Sequence, residues 1–189
     1  QEDGSTVRTA MSRFMAPPHF PVELDKLPGS INFHDVSDHD FFVGGFAVRS
    51  RLIPHVGNTL GFRVEWRGIS IAYLSDHQQP YDGSFGATQG ALDLVEDADL
   101  VIHDAQYTPE EFEQKNTWGH CTVQYAVWLA AKARALMKGR YHVSFEDVRE
   151  LYVPILRHRI LLNFHAESDR VSPDDVLNQV LQAKPAPRE

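Results

Sequence analysis

Residues 54–77 read PHVGNTLGFRVEWRGISIAYLSDH, and the rest of the chain can be placed around them. Two β-rich runs, Leu60–Trp66 and Ile69–Leu74, are separated by the two-residue step Arg67-Gly68, a spacing that predicts a tight hairpin. A hairpin returns the chain on itself, so His55 before it and Asp76 after it are expected at the same rim of a sheet. A neutral imidazole and a carboxylate are ligand types that suit zinc, manganese or iron. The competing reading of the same residues is a strand-end histidine and a solvated aspartate with no shared task.

Upstream, Phe41–Val43, Phe46–Val48 and Leu52-Ile53 predict one long strand interrupted at Gly44-Gly45 by a bulge or a turn. Residues 1–40, rich in proline and scattered acids, read as loops with one short strand near Ile31–Phe33. Downstream, residues 81–90 are a glycine-rich polar loop, and Ala91–Val95 continues a short helix. Asp99–His103 reads as a short buried strand, because Leu100, Val101 and Ile102 form a continuous apolar run. Thr108, Pro109 and Glu111 are a helix start, with cap, first-turn proline and capping-box acid in place. Strands alternating with helices predict an α/β layered domain.

From Cys121 onward the pattern turns helical. Val123–Met137 carries apolar residues at helical spacing and stops at Gly139. Ser144, with Asp147 three residues later, caps a second helix. Pro154 is expected to start a third, through Ile155–Phe164, and Ser172-Pro173-Asp174-Asp175 a fourth. The tail KPAPRE reads as a frayed end or linker.

The 189 residues, 42% hydrophobic and 23% charged, describe an ordinary globular chain with material for one medium domain or two small ones. A net charge of -8 argues against a nucleic-acid-binding surface over the whole protein. No apolar run approaches a membrane span, and no signal segment is present in the sequence. The single cysteine, Cys121, excludes an intramolecular disulfide and leads us to expect a reducing, cytoplasmic compartment. Ten histidines invite a search for metal ligands. Besides His55 and Asp76, that search singles out Asp76-His77, His103-Asp104 at a strand end, and His120 in the loop Trp118-Gly-His-Cys-Thr122 ahead of a helix.

Taken in order, PHVGNTLGFRVEWRGISIAYLSD and ADLVIHDAQYTPEEFEQKNTWGHCTVQYAVWLAAKA resemble the C-terminal half of metallo-β-lactamase-fold hydrolases, in their ribonuclease Z and phosphodiesterase-like branch. The resemblance implies a partial αββα sandwich over residues 1–133. It implies that His55 and Asp76 bind a divalent metal, zinc or manganese, with two ions per complete site and the aspartate bridging. It places His120 against the substrate phosphate or leaving group as the catalytic residue, and His103 and Asp104 behind the ligands as orienting groups. The implied substrate is a small-molecule or nucleotide phosphodiester.

The chain departs from that pattern in two places. The His-x-His-x-Asp-His motif is absent, and its expected place is upstream of Gln1; His34-Asp-Val-Ser-Asp38-His39 lacks the middle histidine and lies too close to His55 to replace it. The final strand ending in a histidine is also missing. Instead, ARALMKGRYHVSFEDVRELYVPILRHRILLNFHAESDRVSPDDVLNQVL resembles the C-terminal helical lid of MoxR-type AAA+ ATPases, which implies a small all-α bundle over residues 134–189 and a protein partner docking through it. No GxxxxGK[ST] loop accompanies it, so nucleotide binding is not expected. A single-domain alternative makes Arg159–His165 the last strand, with His165 as a ligand. The resulting expectation is a composite, a metal-dependent hydrolase short of its main ligand motif, whose two remaining ligands, His55 and Asp76, are not expected to hold a metal pair. The alternative is a non-catalytic fragment or interaction module.

Overall fold

The hairpin expected at Arg67-Gly68 forms, in a computed structural model that describes residues 6–183. Arg67 and Gly68 both take left-handed backbone angles (φ 51° and 79°), and Trp66 pairs with Ile69 across them. That two-residue turn matches the right-handed twist of the strands it joins. The flanking strands are β3 (Thr59–Trp66) and β4 (Ile69–Leu74). At Gly44-Gly45 the turn prevails over the bulge: Val43 pairs with Phe46, so the long strand is two, β1 (Asp40–Val43) and β2 (Phe46–Ile53).

β1 to β4 make an antiparallel meander, and β5 (Leu100–His103) joins β4 in parallel, giving one sheet in the order β1-β2-β3-β4-β5. A parallel neighbour needs a crossover; here it runs through α2 (Gln89–Val95), capped by Thr88. The core lies on the face that α2 covers. Ile53, Ala72 and Leu74 of the sheet pack there with Ala91, Leu94 and Val95 of α2 and with Leu129 and Ala133 of α4 (Val123–Met137). Arg63 crosses this face and donates to the carbonyls of Leu94, Glu96 and Asp97, closing the C-terminal end of α2.

The opposite face is largely open. Trp66, Ile69, Ile71, Tyr73, Leu100 and Ile102 all remain exposed on it. This corrects the expectation of a buried strand at 99–103. β5 is the edge of the sheet with one open face, and it half-buries only its alternate residues, Val101 and His103.

α3 (Pro109–Lys115) starts on the expected capping box of Thr108 and Glu111. α4 runs unbroken across residues 133 and 134 and ends before Gly139. α5 (Phe145–Leu156) starts on a second capping box, Ser144 with Asp147. Pro154 lies inside α5 instead of opening a new helix; it forfeits one backbone hydrogen bond, and α5 ends two residues later in a 3₁₀ turn, Arg157–Arg159. Arg159–His165 forms no strand, and α6 (Phe164–Ser168) and α7 (Pro173–Ala183) complete the helices. Two expectations near the N-terminus fail: Ile31–Phe33 is irregular, and α1 (Val7–Phe14), capped by Thr6, was not foreseen. The reading of KPAPRE as a frayed end lies outside the described residues. No helix among them is long and apolar enough to cross a membrane.

Candidate metal centre

β2, β4 and β5 all point the same way, so their C-terminal ends share one rim of the sheet. Proline 54 and Ser75 carry the chain just past β2 and β4 to His55 and Asp76. His103 closes β5 and is followed by Asp104. His120 comes from a distant loop, and two buried glutamines bring it in. The Gln78 amide donates to the carbonyls of Asn116 (2.9 Å) and His120 (3.2 Å), and its side-chain oxygen accepts from Gly119 N–H (2.7 Å). Gln79 accepts from both the Thr122 N–H and its hydroxyl, at 3.2 and 2.8 Å. Backbone bonds from Gln78 N–H to Pro54 and from Tyr107 N–H to Cys121 tie the remaining loops to the same frame.

The result brings together the three residues singled out from the sequence. Ligand atoms of His55, Asp76 and His120 all lie within 4.8 Å of one another, each residue half-buried. Hydrogen bonds set which atoms face the cluster. His55 Nδ1 donates to the Val56 carbonyl at 3.1 Å, leaving Nε2 free. Nδ1 of His120 meets Asp104 Oδ2 at 2.7 Å, leaving its Nε2 free as well. Asp76 receives the Ser75 hydroxyl at 2.5 Å on one oxygen. Gly119 has φ +94°, and a Cβ on it would collide with the His55 ring, so this position demands glycine twice over.

Asp104 is buried, and burial pushes its carboxyl above the usual carboxylate range against the pull of the His120 imidazole. The carboxylate–imidazole pair is the arrangement that orients a histidine toward a metal or a reacting atom. His103, in contrast, turns inward. Its Nδ1 donates to the Asp104 carbonyl (2.5 Å), so its Nε2 accepts from Nδ1 of His77 (2.8 Å). Burial holds both rings neutral, with pKa values lowered to about 4 and about 3. His77 Nε2 is then a bare acceptor with no partner. Cys121 is inert for the same reason: burial pushes its thiol up, and it donates to the Asp104 carbonyl at 3.1 Å.

The remaining candidates are elsewhere. Asp38 accepts from the Leu52 N–H, and His39 bonds to Ser37. His165 is exposed on α6. Gln78 and Gln79 were missed from the sequence; their only signal was an adjacent pair of uncharged polar residues directly after Asp76-His77.

The His55 nitrogen and the Asp76 carboxylate can hold one divalent ion with room for further ligands, and His120, backed by Asp104, stands beside them with its Nε2 toward the same space. Among the described residues no other such cluster exists to hold a second ion beside it. The donor set therefore suits one ion, where the resemblance implies two per complete site.

Residues 124–180 match the AAA lid domain family. The chain is similar to the chaperone MoxR1 of Mycobacterium tuberculosis, 42% identical over 59 residues, which is 31% of this chain and 16% of that protein. It is also similar to ribonuclease Z of Sulfurisphaera tokodaii, 29% identical over 93 residues, 48% of this chain and 28% of that protein. The chain thus spans less than a third of the length of either curated relative. Among solved structures, the short form of human tRNase Z aligns with 51% of this chain and 36% of its own, at TM-score 0.42 and 27% identity. The metallo-β-lactamase-fold protein YhfI of Bacillus subtilis aligns with 62% and 46%, at TM-score 0.43 and 16% identity.

Proposed function

We propose that this chain carries part of the active site of a metal-dependent hydrolase acting on phosphodiester or related ester bonds, joined through α4 to a helical unit that docks a protein partner. The observation that carries the reading is the convergence of His55, Asp76 and His120 within 4.8 Å on one rim. The similarity to ribonuclease Z supports it. In this reading His55 and Asp76 hold the cation, zinc or manganese, and the protein works in the cytoplasm on a small-molecule or nucleotide substrate.

A divalent ion bound there supplies Lewis acidity for a phosphoryl oxygen. The protein supplies the proton. With Nδ1–H on the Asp104 carboxylate, a protonated His120 presents Nε2–H to the leaving oxygen, and Asp104 stabilises the imidazolium while it waits. Gln78 and Gln79 hold the His120 loop against the rim, so the ring does not have to be ordered at each turnover.

Titration of the purified chain with zinc and with manganese, alongside hydrolysis of bis-p-nitrophenyl phosphate, tests this. The expected result is about one ion per chain, lost in His55→Ala and Asp76→Ala. His120→Ala should keep the ion and lose hydrolysis. Absence of saturable metal binding would overturn the reading.

The AAA lid match over residues 124–180 favours a second reading, a non-catalytic composite in which only the helical unit functions. It predicts neither tight metal binding nor hydrolysis, with partner capture retained. Both readings divide the chain near residues 133 and 134.

A further inference from the structure

A groove of about 580 Å³ lies beside β5 and beneath α4 and α5. Its lining shows where it runs. Leu100 and Ile102 point to one face of the sheet, Val101 and His103 to the other, and all four border the same cavity. Only a space running along the outer edge of the strand touches both faces. β5 is the last strand of the sheet, so its outward N–H and C=O groups have no strand beside them. The far wall is apolar: Ala130 and Ala133 of α4 stand back from the strand, and Leu151 and Ile155 of α5 close the groove.

One end of the groove carries the Arg159 guanidinium. His158 and Arg159 line it next to Ala105, whose carbonyl accepts from Arg159 (2.6 Å). Neither makes an ion pair with any acidic group among the described residues, although the chain as a whole carries a net charge of -8. Arg134, also on the lining, is by contrast taken up by Glu150. An unpaired basic end on an apolar slot beside an open strand edge is complementary to one kind of occupant.

We propose that this groove binds an extended segment of a partner protein, which adds a strand to β5, sets aliphatic side chains between β5 and α4, and ends in an acidic residue at His158 and Arg159. Backbone hydrogen bonds along the edge give affinity, the apolar walls select alternate side chains, and the cationic end sets the register. The site is separate from the metal cluster and does not depend on it.

The probe is a fluorescent peptide of alternating valine and threonine that ends in two aspartates, followed by fluorescence anisotropy with the full chain. Saturable binding is expected, with slowed amide exchange over Leu100–His103. Arg159→Glu lies on the exposed rim and should fold normally; it should weaken binding on the order of tenfold and restore it for the same peptide ending in two lysines. No binding, equal affinity for both peptides in the unaltered chain, or unchanged exchange over β5 would each overturn the proposal. Self-association of the chain that Arg159→Glu abolishes would also overturn it, since the occupant would then be a second copy.

Discussion

The sheet with its two covering helices and the helices after Gly139 are stabilised in different ways. Between Ser50 and Ala135 the chain buries a continuous apolar core and several hydrogen-bonded polar side chains, among them Gln78, Gln79 and Asp104 in the frame that carries His55, Asp76 and His120. After Ala135, only Asp147 and Leu177 are buried among the described residues. There Asp147 serves as the hub. It accepts two bonds from Arg140 (2.7 and 2.8 Å), the Ser144 hydroxyl (2.7 Å) and the Ser144 N–H (2.9 Å), with Arg134 and Lys138 close by. Burial of apolar area depends on many residues at once, whereas a charged hub concentrates stability in one. The first region should therefore degrade gradually under mutation, and the second should fail at a single position.

Acid should separate the two regions most widely. His77 and His103 have folded pKa values of about 3 and about 4 against an ordinary 6.5. Between these values the unfolded chain binds more protons, so the sheet loses stability as pH falls from 6.5 toward 4. The Arg140 guanidinium and Ser144 hold the Asp147 carboxyl far below its ordinary 3.8, so the stability it lends is present above that value and lost only as pH falls below it. Near-UV circular dichroism of the tryptophans, two of which (Trp66 and Trp118) sit on the sheet and its loops, should change before far-UV helicity does. Simultaneous loss would break the comparison.

Asp147→Ala comes next. It leaves Arg140 without its main partner and removes a capping box, and should cost about 3–5 kcal/mol, read by urea unfolding and by new proteolytic cleavage around α5. Leu94→Ala, in the sheet core, should cost about 2–5 kcal/mol and shift the tryptophan signal. If Asp147→Ala shifts the tryptophan signal equally, the two regions unfold as one unit. The smallest effect is expected for Arg157→Ala. Its exposed pair with Asp174 links the turn after α5 to α7, and its loss should cost under about 1 kcal/mol, vanishing in high salt in a thermal melt.

What could be read beforehand follows the same division. The hairpin, the capping boxes at Thr108 and Ser144, and the start and stop of α4 came through because each is decided by a few adjacent residues. Pro154 misled because proline ends helices locally, yet the contacts of α5 with α4 and α7 carry the helix past it. β5 misled because an apolar run does not reveal whether both of its faces are covered. At the rim, His55, Asp76 and His120 could be named from residue type and family resemblance, but Gln78 and Gln79 could not, since an uncharged amide carries no motif.

Residues 54–77 by themselves determined a hairpin with a histidine and an aspartate brought back to one rim, because strand periodicity and a two-residue turn are local properties. Only the tertiary structure decided that Gln78 and Gln79 hold His120 to them from more than forty positions away, that His103 turns into the core and leaves to Asp104 alone the backing place the resemblance implied for both, and that the edge of β5 stays open. Those outcomes rest on long-range hydrogen bonds and on which faces find a partner, and neither is written in any single stretch of the chain.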